Sequence, residues 1–299
     1  MAGTVTQAAV GDAGLGDLIP FWTDVRRRFV RNKLAVGSVV YVVLLLLVAI
    51  FAPLITFYGP IKINTAESLL KPSRAHWLGT DLLGRDVWTR LAFGARISLS
   101  VALAVVLVST VLSLLVGSVA GYFGGWWDTI TMRTADVFST LPYIVVVLFF
   151  ISVLGRKVWV IVLAIVALGW MGTARLFRAG VLQVKSQEYI EAARASGCST
   201  LRILTRHVLP NAIQPIIVSV AFGIGSAILL ESVFGFLGVG IAEPTPAWGL
   251  MVGDARDHLF DAPHLFFFPA GALVLTVLAF TFIGDGLRDA LDPKLRGAK

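Results

Sequence analysis

The chain has 299 residues, of which 57% are hydrophobic and only 14% are charged, and its mean hydropathy is +0.84. Because soluble domains carry about 25% charged residues, this composition excludes an ordinary soluble protein and predicts a polytopic membrane protein. The formal net charge of +7 would favour nucleic-acid binding in a soluble protein. Here we attribute it to loops beside the membrane and predict no nucleic-acid partner.

The first 33 residues are predicted to lie outside the membrane. Residues 1–20 are rich in Gly and Ala, whereas residues 21–33 combine aromatic with basic side chains. The second composition is typical of a segment on the cytoplasmic membrane surface beside anionic lipid. A cleaved signal peptide is the alternative for the apolar run that follows. That run is too long for one, and Pro53 after Ala52 makes a poor cleavage site.

Six apolar segments are candidates for membrane crossing. The apolar run over residues 137–171 would be about 50 Å long as one helix, against a hydrocarbon core of about 30 Å, so we place a hairpin at Gly155. The predicted fold class is therefore an all-α polytopic membrane protein with six transmembrane helices. Their predicted ranges are 34–58, 97–122, 137–154, 158–172, 211–230 and 265–283.

An even number of spans puts both termini on the same side of the membrane. With this arrangement, the loops on the side of the termini carry twice as many Lys and Arg residues as the loops on the other side. The positive-inside rule therefore predicts that both termini and the polar stretch 186–210 are cytoplasmic.

Residues 186–210 predict a helix, a tight turn and a second helix. Ser186 can cap the first helix and Ser199 the second. Gly197 tolerates the positive φ that ends many helices, and Pro210 permits a new helix to begin close behind it. Small residues at helical spacing in the first helix form a face that another protein can approach closely.

Several kinds of site have no counterpart in the sequence. It contains no GxxxxGK[ST] phosphate loop, no nucleophile elbow and no HExxH helix. Its one cysteine, Cys198, excludes an internal disulfide, and its four histidines are scattered without metal-ligand spacing. Any ATPase that acts with this chain must therefore be a separate subunit.

The 186–210 stretch resembles the cytoplasmic loop of the membrane subunits of ABC importers. The family signature reads E-A-A, three residues, Gly, nine residues and I-x-L-P. This chain departs from the signature at His207, a position where the family usually has an aliphatic residue. In that family the loop forms the coupling helix, which docks on the ATP-hydrolysing subunit. The resemblance implies an ATPase-coupling role for Glu191, Ala192, Ala193, Gly197, Leu209 and Pro210.

Other segments narrow the resemblance to the C-type permease of the dipeptide/oligopeptide/nickel branch. Residues 76–86 are similar to its H-W-x-G-T-D-x-x-G-R-D pattern, residues 236–249 to its F-L-G-x-G and P-x-P-x-W-G patterns, and residues 284–293 to its C-terminal signature. The departures are Phe266-Phe267 for two tryptophans, Ala270 for glycine and Thr281 for asparagine.

The resemblance also implies the type I ABC importer permease fold and a set of partners. The expected divisions are an N-terminal tail over 1–33, a first span and extracytoplasmic loop over 34–92, a permease core over 93–289 and a tail over 290–299. The expected partners are a homologous B-type permease subunit, two ABC ATPase subunits, an extracytoplasmic solute-binding protein and the lipid membrane. ATP and Mg²⁺ would bind to the ATPases, and this chain would hold no cofactor, metal or catalytic residue.

Four residues are candidates for the pathway or its gate: Asp81, Arg85, Asp86 and Glu231. The loop that carries the first three could instead pack its own aspartates on helix N-termini. Glu231 is expected just beyond the fifth span, and a carboxylate at membrane depth should face water or protein. It could equally be a residue at the membrane rim.

The resemblance predicts peptide import, with nickel or an oligosaccharide as the alternative cargo. An ion-coupled secondary transporter would need buried carboxylates in its spans, and the predicted spans hold almost no charge. A membrane-embedded enzyme would need clustered His, Asp or Glu residues, which the sequence does not show.

Overall fold

The computed structural model describes residues 21–292, where the regular elements are helices apart from one isolated bridge between Thr80 and Asp86. Residues 1–20 and 293–299, predicted as tails, lie outside this range. The α-helices are α1 (Phe21–Arg31), α2 (Lys33–Ile55), α3 (Val87–Phe123), α4 (Gly125–Ser139), α5 (Tyr143–Leu154), α6 (Val158–Lys185), α7 (Glu188–Ala195), α8 (Thr200–Ile203), α9 (Leu209–Ala212), α10 (Gln214–Phe236), α11 (Trp248–Asp254) and α12 (His264–Leu291). A π-helical segment, Leu204–Val208, joins α8 to α9, and 3-10 turns occupy Thr65–Glu67 and Arg256–His258.

Within residues 21–292, five helices are long and apolar enough to cross a membrane by themselves. They are α2, α3, α6, α10 and α12. The bent pair of α4 and α5 passes the same test as one unit and supplies a sixth crossing. The predicted all-α class is therefore confirmed within these residues, with five crossings by single helices and a sixth where the bent pair counts as one span.

The third crossing differs from the single helix predicted over residues 137–154. α4 and α5 meet at 88° across the residues between them. Pro142 lies at this break, where it lacks the N–H of a continuing helix and disfavours the α conformation of the residue before it. The Thr140 hydroxyl also donates a hydrogen bond to the Val137 carbonyl at 2.7 Å. The prediction was wrong here because the polar residues of α4 were assigned to a connection.

α3 begins ten residues before the predicted second span and has 37 residues, about 55 Å of helix. Its start is fixed by Asp86, whose side chain accepts a hydrogen bond from the Thr89 N–H. The predicted boundary between residues 92 and 93 therefore falls inside α3. The boundary at 289/290 likewise falls inside α12, and α10 runs six residues beyond the predicted end of the fifth span.

The backbones of α3 and α6 pack closely along the bundle. A Cβ atom built on Gly117 would lie 2.5 Å from the Ala174 carbonyl oxygen, and one on Gly121 would lie 3.0 Å from that of Arg178. Only glycine allows the two backbones to approach so closely. The small residues of the second span therefore pack against another helix, as such residues do in membrane bundles.

The bundle has two ends, which we name the loop end and the distal end. The 186–210 loop lies at the loop end, and α1 packs there against the last turns of α12 through Val25, Ala290 and Leu291. The distal end carries residues 56–86, 155–157 and 237–263, and Arg156 Nε there donates to the Gly240 carbonyl at 3.1 Å. Both ends of the described chain therefore lie on the same side as the loop, while its cytoplasmic placement stays a prediction.

Candidate functional sites at the two ends of the bundle

The 186–210 loop folds into the two predicted helical arms, but its first cap differs from the prediction. Ser186 ends α6, and its hydroxyl donates to the Gln183 carbonyl at 3.0 Å. The residue at the start of α7 is Gln187, which makes no side-chain cap. Ser199 occupies the predicted position before α8, again without a side-chain hydrogen bond. The capping predicted for Ser186 was therefore wrong, whereas Ser199 lies at the predicted N-cap position of α8.

The turn between the arms is fixed by Gly197, as predicted. Its φ is +77°, in the region that favours glycine. The Gly197 N–H donates to the Arg194 carbonyl at 2.9 Å, and the Cys198 N–H donates to the Ala193 carbonyl at 3.1 Å. These two bonds form a Schellman motif, which ends α7 and directs the chain into α8.

α7 has a buried face and an open face. Ile190 is fully buried and packs in one cluster with Ile203 and Val208 of the second arm. Glu191 and Ala192 are exposed on the other side. The cluster therefore holds the two arms together and leaves the predicted small-residue face open, with Ala193 half-buried at its edge.

The second arm runs on through α9, and only Ile213 separates α9 from α10. The Leu209 N–H donates to the Leu204 carbonyl, five residues back, and so forms a π-helical turn. Pro210 follows directly and has no N–H to donate to the carbonyl four residues back, as a residue of an α-helix does. The wider π-helical turn accommodates the missing hydrogen bond. Leu209 is half-buried and Pro210 is exposed. Pro210 lies in the first turn of α9, and α10 begins at Gln214, so a helix does begin close behind this proline, as predicted.

Tyr122, near the end of α3, joins the loop to the bundle. Its carbonyl accepts a hydrogen bond from Lys185 Nζ at 2.5 Å, and its ring lies under the Arg194 guanidinium at 5.9 Å. Tyr122 also belongs to the cluster around Ile190. A displacement of α7 would therefore act directly on α3.

The distal end carries five charged side chains that we name the charge cluster: Asp81, Arg85, Arg90, Glu243 and Asp254. Arg85 Nε donates to Asp81 Oδ2 at 2.6 Å, and Arg85 also donates to Glu243. Arg90 Nη2 donates to Glu243 Oε1 at 3.2 Å. The cluster therefore ties the loop before α3 to the loop before α11.

Two carboxyl groups of the charge cluster have shifted pKa values. Burial, together with the neighbouring Glu243 carboxylate, raises the pKa of Asp254 to about 6. Burial acts in the same direction on Glu243, but hydrogen bonds and the charges of Arg85 and Arg90 outweigh it and lower the pKa of that group. Asp254, Asp81 and the two arginines line a small cavity of about 30 Å³, room for one water molecule.

Asp86 has a local structural role. Its Oδ2 accepts from the Thr89 N–H at 2.8 Å and from the Thr89 hydroxyl at 2.7 Å, while Oδ1 lies 2.9 Å from His76 Nδ1. The predicted alternative, an aspartate placed on a helix N-terminus, therefore describes Asp86. The structure places Asp81 and Arg85 in the charge cluster, where a gating role stays a prediction.

Sequence reasoning did not identify three members of the charge cluster. Arg90 falls in the loop predicted before the second span, and no role was predicted for Glu243 or Asp254. The available signal was Arg90 itself, because a guanidinium next to an apolar span requires acidic partners. Its side chain is 2% exposed.

Comparison with known proteins identifies the family. The family described as "Binding-protein-dependent transport system inner membrane component" matches residues 113–297. The chain belongs to this family. Residues 20–72 also match the "N-terminal TM domain of oligopeptide transport permease C". This inner membrane component is therefore a permease subunit, and its apolar helices are membrane spans.

Curated relatives resemble this permease over nearly its whole length. The oligopeptide transport system permease protein OppC of Bacillus subtilis (strain 168) is 39% identical over 93% of this chain and 91% of its own. The dipeptide transport system permease protein DppC of Alkalihalophilus pseudofirmus is 38% identical over 92% of this chain and 90% of its own. The glutathione transport system permease protein GsiD of Escherichia coli O1:K1 / APEC is 41% identical over 92% of this chain and 91% of its own.

A solved structure shows the same fold. The permease is similar to a chain from inward-facing conformations of the MetNI methionine ABC transporter, with a TM-score of 0.57 and 18% identity. The match covers 69% of this chain and 97% of that chain. The predicted type I ABC importer permease fold is therefore confirmed.

Glu231 lies inside the permease, within α10, and not beyond the fifth span as predicted. It is 1% exposed, and its Oε2 accepts a hydrogen bond from the Ser98 hydroxyl of α3 at 3.1 Å. Its Oε1 has no hydrogen-bond partner among residues 21–292. The alternative of a rim residue is wrong, because the side chain faces protein; a role in the pathway stays a prediction. Across the described residues, no group of three or more His, Cys, Asp or Glu could hold a metal ion.

Proposed function

We propose that this permease is the C-type membrane subunit of a peptide-importing ABC transporter. It pairs with a homologous B-type subunit, and two ABC ATPase subunits bind on its loop end and that of its partner. An extracytoplasmic solute-binding protein delivers the cargo to the distal end. ATP and Mg²⁺ bind to the ATPases, and this chain contributes no cofactor and no catalytic residue.

The observation that carries this proposal is the open face of α7. Glu191 and Ala192 are exposed beside the half-buried Ala193, although Ile190 anchors the same helix in the protein. A small-residue face of this kind lets a second backbone come close. The sequence has no phosphate loop, so the ATP-hydrolysing partner is a separate chain.

The contacts of Tyr122 supply a route from this face to the spans. Lys185 and Arg194 hold Tyr122 from the two sides of the α6–α7 junction. When the ATPases close, they displace α7, and α3 moves with it because Tyr122 is part of α3. Since α3 also packs closely along α6, the helices move as a rigid group, which is the motion that alternating access requires.

Peptide cargo is supported by the relatives, whose names specify oligopeptide, dipeptide and glutathione transport at about 40% identity. Nickel and oligosaccharides are the alternative cargos for the same architecture. No cluster of metal-ligating side chains is present in residues 21–292, so a nickel ion would have to cross this subunit without a dedicated site.

Uptake into proteoliposomes tests the proposal. The permease is reconstituted with its B-type subunit and ATPases, with ATP and Mg²⁺ in the lumen and the solute-binding protein outside. We expect uptake of labelled trialanine that stops when ATP is replaced by a non-hydrolysable analogue. Uptake of nickel or an oligosaccharide in place of trialanine would overturn the cargo assignment, and uptake driven by a proton gradient without ATP would overturn the ABC mechanism.

A further inference from the structure

A cavity of about 170 Å³ lies at mid-height of the bundle, between α3, α6 and α10. Its walls carry no charged side chain. Four different helices contribute hydroxyl groups to the walls, and the remaining lining residues are apolar or glycine. The hydroxyl-bearing residues are Ser109, Thr110, Tyr143, Thr173, Ser219 and Ser226.

Several other hydroxyls of the spans donate to a backbone carbonyl, although some, such as those of Ser38 and Ser118, also have no partner within the described residues. Ser113, one turn from Ser109, donates to the Trp170 carbonyl at 2.7 Å, and Ser152 donates to the Leu148 carbonyl at 2.7 Å. In contrast, the six cavity hydroxyls form no hydrogen bond within the described part of the chain. Ser109 is only 7% exposed, and its Oγ is buried without a partner. A buried hydroxyl without a partner is unfavourable, so the Ser109 hydroxyl is expected to bind something in the cavity, whereas Tyr143 and Ser226 are exposed in this subunit.

The chemistry of the walls favours one class of ligand. A hydroxyl both donates and accepts hydrogen bonds, so it suits the N–H and the C=O groups of a peptide main chain equally well. A wall without charge neither attracts nor repels the charged side chains of a peptide. Such a cavity would accept peptides of different sequence and would release them easily.

The size of the cavity indicates that it is incomplete. Small-molecule sites usually enclose about 300–1,000 Å³, and 170 Å³ is about half the lower figure. We propose that this cavity is one half of a site that binds the main chain of a peptide in transit. The homologous membrane subunit supplies the other half. This inference rests on the proposed function, because it requires peptide cargo and a paired subunit.

The test removes hydroxyls with little change in side-chain volume and compares two cargos. The combined variant Thr110→Val, Thr173→Val, Ser226→Ala is reconstituted in the complete transporter beside wild type. The cargos are trialanine and its analogue with N-methylated amides, each supplied at a concentration that saturates the solute-binding protein. Ser152→Ala is the control, since it removes a span hydroxyl that bonds within its own helix.

In wild type, N-methylation should lower the uptake rate about three- to tenfold, because an amide donor is lost. In the combined variant, trialanine uptake should fall by a similar factor, and N-methylation should have no further effect. The ATP hydrolysis that the solute-binding protein stimulates should persist in the variant. Ser152→Ala should behave as wild type.

Two outcomes would overturn the inference in distinguishable ways. If wild type imports trialanine and the variant keeps both the full rate and the full effect of N-methylation, the cavity does not bind the main chain and the proposed function stands. If wild type imports no peptide at all, the proposed function and the inference both fail.

Discussion

Arg85 and Glu243, which are 158 residues apart in the sequence, form a direct ion pair at the distal end. Glu243 also accepts from Arg90, so one carboxylate holds two guanidinium groups that are 5% and 2% exposed. Buried guanidinium groups are unfavourable without an acceptor, so this carboxylate stabilises the whole contact between the two distal loops.

Replacement of Glu243 by Gln should therefore destabilise the permease. We expect a loss of about 1–2 kcal/mol, below the full value for a buried charge pair because Glu243 is itself 43% exposed. Thermal unfolding of the detergent-purified subunit measures the effect. Asp257→Asn is the matched control, since the Arg256–Asp257 pair is exposed and should contribute little. Equal melting temperatures for Glu243→Gln and wild type would show that the cluster does not stabilise the distal end.

The pH dependence of stability should depend in part on Asp254. Its pKa of about 6 lies above the usual value of about 3.9, so the folded chain binds this proton more tightly than the unfolded chain does. Stability should therefore fall as the pH rises from about 4 to about 6 and should change no further above that range.

Asp254→Asn should reduce this dependence, because the amide does not titrate. The measurement is the melting temperature at pH 5 and at pH 7 for wild type and variant. Glu243→Gln should shift the transition to lower pH, since Glu243 raises the pKa of Asp254. A variant Asp254→Asn that loses as much stability between the two pH values as wild type would contradict the assignment.

The sequence predicted the number of crossings and the turn at Gly197, but not the third crossing or the charge cluster. Spans are set by long apolar runs and the turn by one glycine, and both signals are local. The charge cluster is not local, because Arg85 and Glu243 meet only after four intervening crossings have folded. The start of α3 was missed because Arg90 falls in the segment predicted as a loop, although its acidic partners bury it inside the helix.

Gly197→Val should impair coupling without disturbing the rest of the fold. A Cβ at this position meets no atom within 4 Å, so the cost arises from the backbone, whose φ is +77°. A β-branched residue there costs about 1–3 kcal/mol locally. Peptide uptake and the ATP hydrolysis that the solute-binding protein stimulates should both fall, while pairing with the B-type subunit should be unchanged. Gly197→Asn is the control, since Asn tolerates positive φ and should retain most activity. Equal loss of activity in both variants would show that the glycine is needed for some reason other than its φ.

The orientation in the membrane can be tested by cysteine labelling in a Cys198→Ser background. Ser73→Cys and Phe260→Cys place exposed thiols at the distal end, and Leu201→Cys places one at the loop end. In intact cells, a membrane-impermeant maleimide should label the first two and leave the third unlabelled until the cells are opened. Labelling of Leu201→Cys in intact cells would place the loop outside and reverse the predicted topology.

The most direct test of the account is peptide uptake by the complete transporter that carries Ala192→Trp. Ala192 is exposed, so the permease itself should fold and pair normally, but the indole would block the close approach of the ATPase. Trialanine uptake and the ATP hydrolysis that the solute-binding protein stimulates should both fall about tenfold or more. Leu54→Trp, at an exposed position in α2, should leave both unchanged. Wild-type uptake and ATP hydrolysis with Ala192→Trp would show that α7 is ordinary surface and would contradict the proposed coupling.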